Sequence, residues 1–370
     1  MNPFDFRPRT RVVFGPGEAS RLGEFARELG ATRVLVVADH GIVKAGHAQD
    51  VVRSLKARRM EVSSFNDFQE GPTVEAVDLG HRSAKGANPD LIVAVGGGST
   101  LDLAKALNVV LSCGGSIRDY FGYGNVPKPL LPMIAVPTTA GTGSEATSST
   151  HIYDPEARAR ISCGDAKLAF RLAVLDPKLT LTQPDWLTAA SGYDAISHAV
   201  ETLASTRRNV LSESFSRQAW SLLNENFENV LRRPDDMEAR AGMLVGSHFA
   251  GIAMENAALG VANACAQPLL ANVLTNVLTN ATAGYKLTHG AAMALTLAPS
   301  LEWEEVHQDL APRLRELASL AGLHLNLKDA GIPEEALPRL AEEAATQWSG
   351  KFSARHFDAN AALEIYRSAL

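Results

Sequence analysis

Residues 91–106 read LIVAVGGGSTLDLAKA, and this stretch decides the fold. Residues 91–95 are apolar throughout and predict a buried strand, and the run 96–99 leads from that strand into a helix predicted over 100–111. Glycines let a backbone approach a phosphate closely, and the N-terminus of the following helix supplies N–H groups to bind it. The spacing GxGxxG is absent, so a plain tight turn remains the alternative to a phosphate site.

Strand and helix patterns alternate on both sides of that stretch. Alternation of this kind indicates βαβ units and a mostly parallel sheet. The predicted strands are 11–14, 33–38, 61–65, 91–95 and 132–136, and the predicted helices are 18–29, 43–59, 73–85 and 100–111.

The second half of the chain has a different pattern. Helical periodicity dominates from Gln183 onward, and the run TQPD at 182–185 is a typical helix start, with proline and an acid in the first turn. We therefore predict a Rossmann-like α/β dinucleotide-binding domain over 1–182 and an all-helical domain over 183–370. The tetrapeptide VLTN occurs twice in tandem over 273–280, which indicates a local insertion.

Composition excludes several classes of protein. The 370 residues carry a net charge of -6 and no block of basic residues, so we predict no nucleic-acid partner. No apolar run is long enough to span a bilayer, and the polar start lacks a signal peptide, so we predict no membrane partner. Three widely spaced cysteines do not make a disulfide framework, which favours the reducing cytoplasm.

A second polar turn follows the strand predicted at 132–136. It reads PTTAGTGSE over 137–145 and is rich in hydroxyls and glycines. Two such turns at neighbouring strand ends mark the usual ligand crevice of an open α/β sheet, so together they favour a bound nucleotide. Asp39, at the end of another strand, can bind both hydroxyls of a ribose and would repel a 2′-phosphate. A helix N-cap is the alternative role for that carboxylate.

Asp194 and His198 are four residues apart in a predicted helix, so both side chains project from one face. A carboxylate and an imidazole at that spacing can share a divalent ion. An Asp–His hydrogen bond is the alternative, and the spacing alone does not decide between them.

Together, these segments resemble the iron-containing (group III, metal-dependent) alcohol dehydrogenases across essentially the whole chain. The matching stretches are GGGSTLDLAKA from Gly96, PTTAGTGSEAT from Pro137, LAVLDPKLT from Leu172 and SGYDAISHAVE from Ser191, with weaker matches over 256–269 and at THGAAMAL from Thr288. The resemblance implies a dehydroquinate-synthase-like architecture with a metal in the cleft between the two domains. It also implies an NAD-dependent alcohol dehydrogenase. Separately, we predict a homo-oligomer, namely a homodimer.

The resemblance also assigns residues to the cofactor. Arg160 stands where the family usually has a lysine near the cofactor, and Gly71 stands where it usually has asparagine. The positions carried over to NAD are Asp39, Gly97, Gly98, Ser99, Asp102, Thr138, Thr139, Thr142, Ser144 and Arg160.

The metal site implied by the resemblance departs from the family pattern. Asp194, His198 and His289 match family ligands, but Asn263 stands where the family usually has a further ligand histidine. Gln267 likewise replaces a histidine near the substrate. An amide oxygen is a poorer ligand than imidazole for Fe²⁺ or Zn²⁺, and an amide cannot shuttle a proton. The interval from Asn263 to His289 is also longer than usual and contains the VLTN repeat.

Three states of this site remain open at this stage. Asp194, His198, Asn263 and His289 hold the metal, or a different or more weakly held ion replaces it, or the site is empty. In the empty case, His289 and Gln267 are the catalytic candidates that donate a hydrogen bond to the substrate oxygen.

The sequence therefore leaves more than one function open. The first is hydride transfer between NAD(H) and a small alcohol, aldehyde or ketone, with a divalent metal polarising the substrate oxygen. The second is an NAD-binding protein whose metal site has decayed. A polyol dehydrogenase or a dehydroquinate-synthase-like lyase is a third, less favoured by the matching stretches. Outside these sets, we predict that His248 and Cys265 are packed core residues and consider His151 as a substrate contact.

Overall fold

In a computed structural model, the described residues are 2–68, 71–157, 159–278 and 287–370, without the side chains of 271–278. The VLTN repeat therefore lies in part outside the described residues. The chain forms two compact units. An α/β unit contains Arg7–Thr139 and Gly143–Gln183, and a helical unit contains Met1–Phe6, Ala140–Thr142 and Pro184–Leu370.

Two sheets form the strand framework of the α/β unit, as far as the structure describes it. The larger has six parallel strands in the order β1-β9-β6-β4-β2-β3, and the smaller has the order β5-β8-β7. The strands are β1 Arg11–Phe14, β2 Arg33–Val37, β3 Glu61–Phe65, β4 Leu91–Gly96, β5 Gly122–Tyr123, β6 Met133–Pro137, β7 Ser149–Asp154, β8 Ala159–Gly164 and β9 Leu172–Leu175.

Five α-helices belong to the described part of this unit. They are α1 Leu22–Glu28, α2 His40–Lys44, α3 His47–Ala57, α4 Val74–Ala84 and α5 Gly98–Cys113. The strands β4 and β6 are buried along their whole length, and α5 is buried from Thr100 to Val110. Each fully buried Val, Leu or Ile side chain stabilises the fold by about 1.5–3 kcal/mol. Strands that are apolar along their whole length are covered on both faces, which is why β4 and β6 occupy the centre of the sheet.

Strand register brings the two polar turns side by side. The neighbours β4 and β6 pair in parallel with Gly96 opposite Pro137, so both strands end at the same edge of the sheet. On the other side of β4, Val37 of β2 lies opposite Ala94, which brings the end of β2 to that edge too. The sequence prediction of a shared carboxyl edge is confirmed.

Some predicted elements differ from those observed. The single helix predicted over 43–59 is two helices, α2 and α3, because Gly46 has a left-handed backbone (φ 88°) between them. The 3-10 turn Glu18–Arg21 forms the first part of the helix predicted over 18–29. The strands β7, β8 and β9 had no prediction at all. Polar residues interrupt the first two, and β9 has only four residues.

The described part of Pro184–Leu370 is helical. Its helices are α6 Asp185–Ala204, α7 Val210–Arg232, α8 Met237–Ala257, α9 Val261–Leu278, α10 His289–Glu304, α11 Ala311–Leu320, α12 Leu337–Ala345 and α13 Ala359–Ser368. The helix start predicted at 182–185 is observed, since α6 begins at Asp185 directly after Pro184. A parallel sheet flanked by helices, followed by an all-helical part, confirms the predicted fold class. None of the described helices combines the length and apolarity needed to cross a membrane.

Candidate functional site

Helix α6 carries the first two residues of a cluster in the helical unit. Asp194 and His198 lie one turn apart on its buried face, with exposed fractions of 3% and 4%. The Nε2 atom of His198 lies 3.5 Å from Oδ1 of Asp194. A buried carboxylate needs a positive or hydrogen-bonding partner, so this pair is a polar centre inside an apolar helix bundle.

The start of α10 supplies the third residue. Thr288 caps the helix by accepting a hydrogen bond from the backbone N–H of Ala291 at 3.3 Å, which leaves His289 as the first helical residue. Gly290 lets α10 approach α6, because a Cβ at that position would lie 1.9 Å from the carbonyl oxygen of Ala190. This close approach brings Nδ1 of His289 to 2.5 Å from Oδ1 of Asp194.

Asp194, His198 and His289 fit a divalent metal. Each offers one ligand atom, and these atoms lie within 4.8 Å of one another. Two imidazoles and one carboxylate are the protein ligands of many catalytic Zn²⁺ and non-haem Fe²⁺ sites. The structure therefore brings together three of the four residues that the sequence predicted as ligands, although they are up to 95 positions apart.

Asn263 of α9 also belongs to this cluster. Its Oδ1 lies 3.0 Å from Nε2 of His289, and its Nδ2 donates to Oγ of Ser349 at 3.0 Å. Gln267, one turn further along α9, donates from Nε2 to the same Asn263 oxygen at 3.1 Å. The amide oxygen of Asn263 thus faces the cluster and can serve as a neutral oxygen ligand.

Glu201 supports the position of Asn263. Its buried Oε1 accepts the backbone N–H groups of Gly260 at 3.1 Å and Asn263 at 3.0 Å, and so caps the start of α9. Burial raises the pKa of Glu201 to about 7, although the N–H group of Asn263 opposes that shift. The sequence analysis missed this residue. Its only signal was a position one turn after His198 on the same helix.

The glycine-rich turn of the α/β unit begins helix α5. Gly97 is the N-cap and Gly98 the first helical residue, and with Ser99 they are partly exposed. The first N–H groups of an α-helix have no partner within it, and the helix dipole adds partial positive charge there. This end of α5 therefore offers the donors that a pyrophosphate requires.

Asp39 has the role of a helix N-cap in this structure. Its Oδ1 accepts the backbone N–H of Ile42 at 3.0 Å, and its Oδ2 accepts the hydroxyl of Thr100 at 2.8 Å. The N-cap alternative is thus observed. Each carboxylate oxygen can accept more than one hydrogen bond, so capping does not exclude a ribose.

The second polar turn packs against the first. The N–H of Thr138 donates to the carbonyl of Gly96 at 3.1 Å, and a Cβ on Gly97 would lie 3.2 Å from Oγ1 of Thr139. Ser144 begins a 3-10 turn in the same unit, whereas Thr142 belongs to the helical unit. The structure therefore gathers Thr138 and Thr139 beside the glycine-rich turn.

Asp102 lies one turn into α5 and is buried. Its Oδ2 accepts the backbone N–H of His151 at 3.2 Å and lies 3.7 Å from the ring Nδ1 of that residue. Burial raises the pKa of Asp102, but the His151 hydrogen bond and the charges of Lys105 and Arg160 outweigh burial and lower the pKa overall. Asp102 is therefore ionised at neutral pH.

The remaining predicted residues occupy varied positions. Arg160 is exposed on β8, and His151 is exposed on β7. Gly71 is exposed and has a left-handed backbone (φ 88°). His248 and Cys265 are buried in α8 and α9, which confirms the prediction that both are core residues.

Comparison with protein families finds two matches. Residues 8–177 match the family model "Iron-containing alcohol dehydrogenase", and residues 188–304 match "Fe-containing alcohol dehydrogenase family, C-terminal". The second match includes Asp194, His198, Asn263 and His289.

Individual proteins are similar over most of the chain. A NAD-dependent methanol dehydrogenase of Bacillus methanolicus is 31% identical over 89% of this chain and 83% of its own length. Long-chain-alcohol dehydrogenase 1 of Geobacillus thermodenitrificans is 32% identical, covering 91% and 90%. Among solved structures, a 1,3-propanediol oxidoreductase superposes with a TM-score of 0.92 at 27% identity, covering all of both chains.

Proposed function

Since the chain belongs to the iron-containing alcohol dehydrogenase family and is an oxidoreductase, we propose that it transfers a hydride between NAD(H) and a small alcohol. The alcohol is primary or secondary, and the reverse reaction uses the matching aldehyde or ketone. The cluster of Asp194, His198 and His289 is the observation that carries this proposal, because its ligand atoms lie within 4.8 Å of one another. We assign these three side chains, with the amide oxygen of Asn263, to a bound Fe²⁺ or Zn²⁺.

The side chains of the helical unit have distinct roles in this proposal. A divalent ion supplies Lewis-acid polarisation of the substrate oxygen when it is bound. Asp194 contributes the only negative charge among the proposed ligands and orients the ring of His289 through their 2.5 Å contact. Gln267 lies 3.4 Å from Nε2 of His289 and is the candidate donor to the substrate oxygen. Its amide cannot accept a proton at neutral pH, so proton release needs histidine or water.

The α/β unit binds the cofactor in this proposal. NAD supplies the hydride acceptor or donor when it is bound. The start of α5 at Gly97, Gly98 and Ser99 holds the pyrophosphate, and Asp39 accepts hydrogen bonds from the ribose. The further cofactor residues of this unit are Asp102, Thr138, Thr139, Ser144 and Arg160, as the family resemblance assigned them. The resemblance also assigns Thr142, which belongs to the helical unit.

Metal content and turnover, measured on the same samples, test the proposal. Purified protein is analysed for Fe and Zn and assayed for NADH oxidation with a series of short aldehydes, before and after chelation. We expect activity to fall with metal content and to return when Fe²⁺ or Zn²⁺ is added. Full activity at negligible metal content would refute the metal assignment and leave His289 and Gln267 as the donors. No turnover with any aldehyde or alcohol, despite NADH binding, would favour the non-catalytic alternative.

Replacing Asn263 with histidine should strengthen metal retention. Imidazole is a better ligand than a neutral amide oxygen for Fe²⁺ or Zn²⁺, and Oδ1 of Asn263 already faces the cluster. We expect Asn263→His to slow metal loss during dialysis against chelator by about tenfold or more, since one good ligand contributes upwards of about 1.4 kcal/mol. Asn256→His, on α8, is the control and should leave retention unchanged. Equal retention in Asn263→His and the native protein would remove Asn263 from the ligand set.

Asp39 should determine the preference for NAD(H) over NADP(H). Its carboxylate would lie beside a 2′-phosphate and repel it. We expect Asp39→Gly to lower the NADH-to-NADPH ratio of kcat/KM by at least about tenfold, while glycine as an N-cap costs only a few tenths of a kcal/mol. Asp39→Asn removes the charge but keeps one side-chain oxygen that can accept the N–H of Ile42, so it separates the charge from the helix cap. Native turnover that is equal or better with NADPH would contradict this assignment.

We further propose a cytoplasmic homodimer. The cysteines at 113, 163 and 265 are all free, which suits a reducing compartment. Strand β1 is an edge of the large sheet and exposes Val12 and Phe14, so its outer edge can pair with a second copy. Light scattering after size-exclusion chromatography should give twice the chain mass, and a monomer at micromolar concentration would contradict this state.

A further inference from the structure

Lys105 is a buried cation in the middle of α5. Its exposed fraction is 0%, and it lies two turns beyond the glycine-rich turn on the same helix. Moving an ammonium group out of water costs several kcal/mol unless hydrogen bonds replace the lost solvation. Such a residue in a helix core therefore implies a dedicated set of acceptors.

One short segment, residues 144–149, supplies four acceptor atoms for this ammonium group. Nζ of Lys105 donates to the carbonyl oxygens of Ser144 at 2.8 Å, Thr147 at 2.9 Å and Ser149 at 2.7 Å. It also lies 3.0 Å from Oγ1 of Thr147. Nζ of Lys105 also lies over the ring of Phe170, 5.4 Å from the ring centroid.

The acceptors belong to a segment with little regular structure of its own. Residues 144–149 contain a three-residue 3-10 turn and the first residue of β7. Buried carbonyl groups almost always have a donor, and a segment outside helices and sheets must find it elsewhere. The ammonium group of Lys105 has three N–H bonds and donates to all three carbonyls, so it fixes the path of this segment relative to α5.

We propose that Lys105 is a positioning residue for the cofactor, which holds the segment 144–149 against α5 so that the second polar turn keeps its binding shape. This inference rests on the proposed function, which assigns that turn to NAD. Lys105 itself touches neither cofactor nor substrate in this role. A second hydrogen bond also joins this part of the chain to α5, because the hydroxyl of Thr150 donates to the carbonyl of Asp102 at 2.8 Å.

Replacing Lys105 with methionine tests this role. Methionine has a similar length but no donor, so three carbonyl oxygens lose their shared partner. We expect the Kd for NADH, measured by fluorescence titration, to rise at least tenfold, while metal content stays at the native level. Hydrogen exchange should increase in the peptide that covers 144–149.

Asn108→Ala is the matched control. Asn108 is also fully buried on α5 and also holds backbone, since its amide donates to the carbonyl of Leu131 at 2.8 Å and accepts the N–H of Leu131 at 3.1 Å. We expect this variant to lower Tm as Lys105→Met does, with less than a twofold change in the Kd for NADH. If NADH binding weakens equally in both variants, Lys105 only stabilises the fold in general, and the inference is overturned.

A milder variant keeps the test decisive if Lys105→Met does not fold. Thr147→Val removes one acceptor of the ammonium group with little change in shape. A threefold or larger rise in the Kd for NADH then supports the inference, and an unchanged Kd overturns it. If the native protein itself binds no NADH, the proposed function fails and the inference with it. Native binding with unchanged binding in the variants overturns only the role of Lys105.

Discussion

Replacing His198 with alanine should abolish metal retention and lower kcat by about 10³-fold. The imidazole belongs to the three-residue cluster, and its loss leaves Asp194 and His289 with one neutral amide oxygen from Asn263. Lewis-acid stabilisation of a substrate oxygen contributes several kcal/mol, and each 1.36 kcal/mol corresponds to about tenfold in rate. Elemental analysis after dialysis and the rate with a saturating aldehyde measure the two effects.

His248→Ala separates this role from packing. His248 is another helical histidine of the same unit, with an exposed fraction of 2%, and it is not part of the cluster. Both variants remove a buried imidazole, so both should lower Tm. Only His198→Ala should lose the ion. Stoichiometric metal in dialysed His198→Ala protein would remove that residue from the ligand set.

The arrangement of the α/β unit was largely predictable because its signals are local. The apolar strand, the glycine turn and the helix of 91–106 are consecutive, so each element limits the conformations open to the one that follows it. The adjacency of the two polar turns follows from the parallel order of the sheet. Strand β9 escaped prediction because a four-residue apolar run has no distinct period, and the polar residues of β7 and β8 obscure their alternation.

The metal cluster was only partly predictable from residue spacing. Asp194 and His198 share a helix face, so their spacing was informative. The contact of His289 with Asp194 joins residues 95 positions apart, and it depends on the bare backbone of Gly290. A periodic sequence pattern does not predict that two helices pack this closely. His289 was predicted as a ligand only from the family resemblance.

Lys105 and Glu201 were missed for a related reason. Charged residues are usually exposed, so a sequence pattern places them on the solvent side of a helix. Both are buried because backbone groups from distant segments meet them, at 144–149 for Lys105 and at Gly260 and Asn263 for Glu201. Their roles become visible only when the partners are located.

Replacing Gly98 with valine should weaken NADH binding by about 100-fold and leave the fold intact. Gly98 begins α5, where the proposed site binds the pyrophosphate on backbone N–H groups. Hydrogen bonds to a charged group contribute about 1.5–3 kcal/mol each, so a branched side chain that keeps the phosphates away removes one or two of them. The fold should tolerate valine because Gly98 is partly exposed and does not have a positive φ.

Gly86→Val is the matched control for this prediction. Gly86 lies in the same unit, and a Cβ at that position would meet no atom within 4 Å. Gly86→Val makes the same chemical change outside α5 and should leave the Kd for NADH within about twofold, which corresponds to about 0.4 kcal/mol. Fluorescence titration with NADH gives both constants, and circular dichroism checks the fold. If Gly98→Val binds NADH as tightly as Gly86→Val does, the glycine-rich turn does not hold the pyrophosphate, and the plain tight turn between β4 and α5 is the correct interpretation.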